Sequence, residues 1–162
     1  MTMTPGQTIG PFFHNGLDWG FEASERLPSA AVLEGQVFDG AGVAMPDAMV
    51  EAWIPAAASE AGAGLPGFRR SASTRNTGYH IELPTLPAAG EPAAYITVHG
   101  RGLLKHQFTA VFFDNDAGAA ILAQVPAERR ATLVAQRDAA SGVWRWDIHL
   151  QGASETVFFD YR

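Results

Sequence analysis

Five histidines are the residues of this 162-residue sequence best suited to chemistry near neutral pH, since imidazole serves both as metal ligand and as general base. Their spacing offers little. His99 and His106 are separated by the turn-like Gly100-Arg101-Gly102, and no His-x-His or His-Glu-x-x-His pattern occurs. An independent metal centre would have to draw on His99, His106 or His14 together with distant ligands, so surface or hydrogen-bonded roles account for them more simply. Asp147 and His149 share the polar face of one alternating stretch, where a carboxylate could orient an imidazole, although solvated neighbours on an outward face are much more common. Arg101 stands between two glycines, which let a guanidinium approach a ligand without crowding, and its fork suits a carboxylate; an ordinary turn arginine is the competing reading.

Several chemistries are excluded by composition. The chain has no cysteine, which removes disulfides, thiolate nucleophiles, iron–sulfur ligation and Cys-type zinc sites. No Gly-x-Ser-x-Gly elbow, Walker-type loop or dinucleotide fingerprint is present, so a self-sufficient catalytic centre has little support. The net charge is −6, and the densest basic clusters are the pairs Arg69-Arg70 and Arg129-Arg130, so a nucleic-acid backbone would be repelled. No apolar run reaches the ~18 residues of a membrane helix, and Met1-Thr-Met-Thr-Pro5 lacks the basic and apolar regions of a signal peptide, which gives a cytoplasmic expectation.

The elements that would position these residues are mostly strands. Trp144, Trp146, Ile148 and Leu150 alternate with Arg145, Asp147, His149 and Gln151, the period of a half-buried strand. Similar runs cover residues 33–39, 48–54, 79–83, 95–100, 107–114 and 157–160, rich in β-branched and aromatic side chains. Asp39-Gly40-Ala41-Gly42 is a hairpin signal, followed by Met45-Pro46-Asp47 as a second turn, so the first two runs are expected to pair. Pro126, Glu128 and the helix formers of 127–137 predict one helix. Residues 55–67 and 86–92 are rich in Ala, Gly and Pro and read as loops. The fold class expected is mainly β, a β-sandwich of about seven or more strands with one short helix and long loops.

Before the first strand, Thr4-Pro-Gly-Gln-Thr-Ile-Gly-Pro-Phe12 combines restricting prolines, permissive glycines and aromatics, the make-up of an ordered arm. That stretch resembles the N-terminal signature of the intradiol ring-cleavage dioxygenases. Leu33-Glu-Gly-Gln-Val-Phe-Asp-Gly40, Val50-Glu-Ala-Trp53, Arg101-Gly102 before a strand ending Phe112-Phe-Asp114, and Trp146-Asp-Ile-His-Leu-Gln-Gly152 running into Glu155-Thr-Val-Phe-Phe-Asp160 resemble the same family in the same order. The resemblance covers nearly the whole chain and implies a single intradiol-dioxygenase-like β-sandwich domain over residues 1–162, with residues 1–30 as an N-terminal arm.

In that family a catalytic chain, called beta, holds a non-haem ferric ion with two tyrosines and two histidines, the latter in a His-x-His strand. The matching strand here reads Tyr95-Ile96-Thr97, and neither Tyr79 nor Tyr161 falls where the ligand tyrosines are expected. The resemblance therefore implies an iron-free alpha-type chain, inactive alone, whose cofactor is Fe(III) in the partner beta subunit of a hetero-oligomer. It further implies protocatechuate (3,4-dihydroxybenzoate) as substrate and a pocket wall made by Thr8, Gly10, Pro11 and Arg101, Arg101 facing the substrate carboxylate. No catalytic or metal-binding residue is expected on this chain. Segments 53–73 and 83–95 are shorter than in the family, and Ile9 is bulkier than its usual counterpart. The rival from another class is a stand-alone transthyretin-like β-sandwich binding module, which would need no second chain, whereas the subunit reading leaves Phe12, Phe13, Trp19 and Phe21 without a partner surface when the chain is alone.

Overall fold

Alternation of buried and exposed side chains organises the chain, whose computed structural model describes residues 29–55, 67–72, 78–113 and 119–160. Among the described residues the strands are β1 (Ala31–Gly35), β2 (Val37–Phe38), β3 (Met49–Trp53), β4 (Phe68–Ala72), β5 (Tyr79–Leu83), β6 (Ala94–His99), β7 (Gln107–Val111), β8 (Gln136–Arg137), β9 (Trp144–Arg145) and β10 (Ile148–His149). Between β7 and β8 come a single-turn helix, α1 (Ala120–Ala123), and a 3-10 helix (Ala127–Leu133). No described helix is long and apolar enough to cross a membrane.

One sheet has the order β5-β1-β9-β8, a two-stranded extension pairs β10 with β2, and the opposite sheet runs β4-β3-β6-β7. The first sheet and its extension share a parallel seam: Leu33 pairs with Trp144 and Val37 with Ile148, and bonds from Trp146 N–H to the Glu34 carbonyl (2.9 Å) and from Ile148 N–H to that of Gln36 (2.8 Å) bridge the two. In the opposite sheet every pairing is antiparallel, with Met49 opposite His99 and Ala94 opposite Val111. The main core lies between these layers, where Leu33, Val37 and Ile81 meet Val50, Ile96 and Val98. A second cluster gathers Phe112, Leu122, Val125 and Leu133 beneath the helical segment. This is the β-sandwich with a short helix that the alternation predicts.

Three local expectations are corrected, and one strand was not foreseen. The first two predicted strands do not pair. The 39–42 hairpin forms, with Asp39 Oδ1 accepting from Ala41 N–H and Val43 N–H and with Met45 N–H bonded to the Val37 carbonyl, but it returns only as far as Met45. Beyond Pro46 the chain crosses to the other sheet, because strands whose apolar faces bury against each other stack face to face and cannot also pair edge to edge. The helix expected over 127–137 is a 3-10 helix ending at Leu133, since Val134 bridges Phe112 and pulls the chain back to extended geometry. Residues 157–160 carry no assigned strand, although Thr109 Oγ1 donates to the Val157 carbonyl and Phe159 N–H to that of Phe108, so they run beside β7. β4 was not foreseen: its alternation buries an arginine, Arg69, whose guanidinium donates to the Phe68 and Glu82 carbonyls.

Candidate functional site around Arg101

Arg101 sits at the tip of the β6–β7 connection. Leu103 N–H bonds the Gly100 carbonyl at 3.2 Å and Gly102 has φ +89°, the positive angle a tight turn of this kind asks of its third residue. Gly100 packs closely on the hairpin loop: a Cβ there would lie 2.9 Å from Met45 Cε, the flexible end of that side chain. The two glycines seen flanking Arg101 in the sequence thus shape the turn and seat it, and the guanidinium projects outward, 75% exposed.

The same register explains its partner. Met49 opposite His99 places Asp47 opposite Arg101 when the β3–β6 ladder is continued by two residues. Arg101 Nη2 lies 2.8 Å from Asp47 Oδ2, an opposite-charge cross-strand pair in which the aspartate side chain is only 19% exposed. Arg101 also lines a cleft of about 470 Å³ between this turn, the hairpin loop and the C-terminal segment, together with Asp39, Gln107, Gln151, Glu155 and Phe158. Among the described residues lining it Arg101 is the one cation, so an anion entering the cleft finds its attraction there. Asp47 was missed from the sequence; the signal that could have found it was the register of two strands read together.

The strand that matches the family's His-x-His presents Tyr95, Thr97 and His99 on the face away from the main core. Tyr95 stacks with Phe108, ring centroids 5.9 Å apart, and packs against the second cluster. His99 Nε2 lies 3.3 Å from Glu51 Oε2, while Arg70 donates through Nε and Nη2 to Glu51 Oε1. The His99 bond and the Arg70 guanidinium hold the Glu51 carboxyl below the usual glutamate range, against the opposing effect of burial. One phenol, one threonine hydroxyl and a histidine engaged with a carboxylate do not fit a ferric ion that wants several anionic and imidazole donors. No group of three or more His, Asp or Glu is placed to hold a metal among the described residues.

Asp147 and His149 do not form a dyad. Asp147 Oδ1 accepts from Gln36 N–H at 2.9 Å, and the His149 ring stacks on Phe38 at 4.9 Å. His106 stands with its ring 5.5 Å from that of His99. Thr8, Gly10, Pro11 and His14 lie outside the described residues, as does all but the end of the expected arm over residues 1–30.

Comparison with known proteins gives the class first. The dioxygenase domain of a dioxygenase–carbohydrate-binding protein fusion from Streptomyces sp. SirexAA-E superposes with TM-score 0.58 at 16% identity, over 93% of this chain and 99% of that one. Catechol 1,2-dioxygenase from Pseudomonas arvilla C-1 gives 0.50 at 18%, over 80% and 55%, and an intradiol ring-cleavage dioxygenase from Tetranychus urticae 0.50 at 12%, over 78% and 82%. The fold is therefore the one intradiol dioxygenases use. No protein-family model matches the chain. Two curated relatives are more specific: a protocatechuate 3,4-dioxygenase alpha chain from Burkholderia cepacia is 39% identical, covering 99% of this chain and 98% of that one, and the corresponding alpha chain from Pseudomonas putida is 33% identical, covering 98% and 96%. The chain belongs to the protocatechuate 3,4-dioxygenase alpha-chain family of intradiol dioxygenase subunits. The Burkholderia alignment spans 193 positions against 162 residues here, so this chain is the shorter of the two.

Proposed function

We propose that this chain is an iron-free alpha subunit that lines the substrate pocket of an Fe(III)-bearing beta subunit, in an enzyme that cleaves protocatechuate to 3-carboxy-cis,cis-muconate. Both atoms of O₂ enter the product and the ring opens between the two hydroxylated carbons, so no external reductant is consumed. The iron chemistry belongs to the partner. This chain contributes charge and orientation, with Arg101 directed at the substrate carboxylate and Thr8, Gly10 and Pro11 of the N-terminal arm forming the adjacent wall.

The observation that carries the reading is the exposed Arg101 fork in a chain of the alpha-chain family. One of its nitrogens is held by Asp47, which leaves further donors for a second carboxylate. A hydrogen bond to a charged group contributes roughly 1.5–3 kcal/mol. In the alpha–beta complex, Arg101→Ala should therefore raise KM for protocatechuate by at least about tenfold, and Arg101→Lys, which keeps the charge but loses the fork, by less. Steady-state kinetics on both variants test this; equal and negligible effects would remove Arg101 from the pocket.

A further inference from the structure

We propose that Asp47 is a positioning residue for substrate binding, holding the Arg101 guanidinium so that its remaining donors face an incoming carboxylate. The inference rests on the assignment of Arg101 given above and adds a residue that sequence resemblance did not single out.

An arginine at a turn tip is a poor recognition group unless something limits its rotamers, because the side chain loses about 2 kcal/mol of conformational entropy when fixed. Asp47 supplies that limit before substrate arrives. It is far less exposed than Arg101, 19% against 75%, and it follows Pro46 and precedes the fully buried Ala48 and Met49. The carboxylate is therefore anchored by the core, and the guanidinium is the mobile partner. The contact engages Nη2, and the cleft that Arg101 lines also contains the acidic Asp39 and Glu155. Left unrestrained, the guanidinium would be drawn toward those carboxylates, out of the geometry in which a substrate anion is met.

Two physical roles for Asp47 predict opposite signs. A carboxylate that only damps the positive charge of Arg101 would, once removed, let substrate bind more tightly. A carboxylate that positions the fork would, once removed, weaken binding of carboxylated substrate and leave the chemical step untouched. An exposed ion pair contributes up to about 1 kcal/mol, so the positioning role corresponds to a KM increase of about two- to fivefold.

The experiment is steady-state kinetics on the alpha–beta complex with Asp47→Ala, Asp47→Asn, Arg101→Ala and the Asp47→Ala/Arg101→Ala double variant, each with protocatechuate and with catechol, which lacks the carboxylate. The expected result is a two- to fivefold rise in KM for protocatechuate with Asp47→Ala, a smaller rise with Asp47→Asn, unchanged kcat and no change in KM for catechol. In the Arg101→Ala background the Asp47 substitution should add nothing, which a merely structural role would not produce. The isosteric Asp47→Asn keeps the test open if the alanine variant fails to assemble. An unchanged or lowered KM with both Asp47 variants, while Arg101→Ala raises it, overturns the positioning role alone. No effect of Arg101→Ala overturns the Arg101 assignment and this inference with it.

Discussion

Gly35 lies where the parallel seam between the β1–β2 and β9–β10 segments is tightest, and replacing it with alanine tests the seam directly. A Cβ at Gly35 would lie 1.8 Å from the Trp146 carbonyl oxygen and 2.7 Å from its carbon, both backbone atoms, and 2.9 Å from the Tyr79 hydroxyl oxygen. Restoring ordinary contact means moving the Trp146 peptide by more than an ångström. That displacement strains the Trp146–Glu34 and Ile148–Gln36 hydrogen bonds and the bond that Tyr79 Oη donates to the same carbonyl. Each bond contributes about 1 kcal/mol net, and overpacking a well-filled site costs about 1–3 kcal/mol more. The sum is roughly 4–6 kcal/mol if all three bonds are lost, and at about 2–4 °C per kcal/mol for a chain of this size it lowers Tm by about 8–24 °C. Gly100→Ala is the control: its Cβ meets only the flexible end of Met45, which can turn aside, so the shift should stay within about 3 °C. Thermal unfolding of the complex followed by circular dichroism gives both values. Similar small shifts for the two variants would refute the assignment of the seam as the rigid centre of this layer.

Acid titration of stability should report Glu51. Its native pKa is lowered, so its contribution is complete above the ordinary value of 4.5 and is lost as pH falls through the native one; Glu51→Gln should flatten that acid limb in urea unfolding measured across the range. Tyr79 behaves in the opposite sense: burial first, and the Asp147 charge second, push its hydroxyl well above the ordinary 10.0. The unfolded chain then ionises while the native one does not, so stability is intact below about pH 10 and declines above it. Tyr79→Phe should abolish that alkaline decline but cost about 1–3 kcal/mol at neutral pH by leaving the Trp146 carbonyl without its donor, again read from urea unfolding.

The layers were legible wherever burial imposes a period of two. In β5, Tyr79, Ile81 and Leu83 are buried while His80 and Glu82 are exposed, and β6 alternates in the same way. The pattern misled where two apolar runs flank one hairpin signal, because periodicity states which face is buried and not which strand lies beside it. β4 was hidden since one of its inward side chains is Arg69, whose polar atoms are satisfied by carbonyls that only the folded sheet brings near. The turn that carries Arg101 was legible from its glycines, whereas its ion pair with Asp47 was not, because that pair depends on register between distant segments. The Glu51–Arg70–His99 cluster escaped for the same reason: three strands contribute one residue each.

On the function proposed, this chain acts on protocatechuate only by completing a site whose iron another chain holds. The most direct measurement is to purify the chain alone and co-purified with an iron-bearing beta chain, and to assay iron content, the visible tyrosinate-to-iron absorption and protocatechuate-dependent O₂ uptake in each. Iron, colour and ring cleavage are expected in the complex alone. Stoichiometric iron and O₂ uptake by the isolated chain would contradict that function.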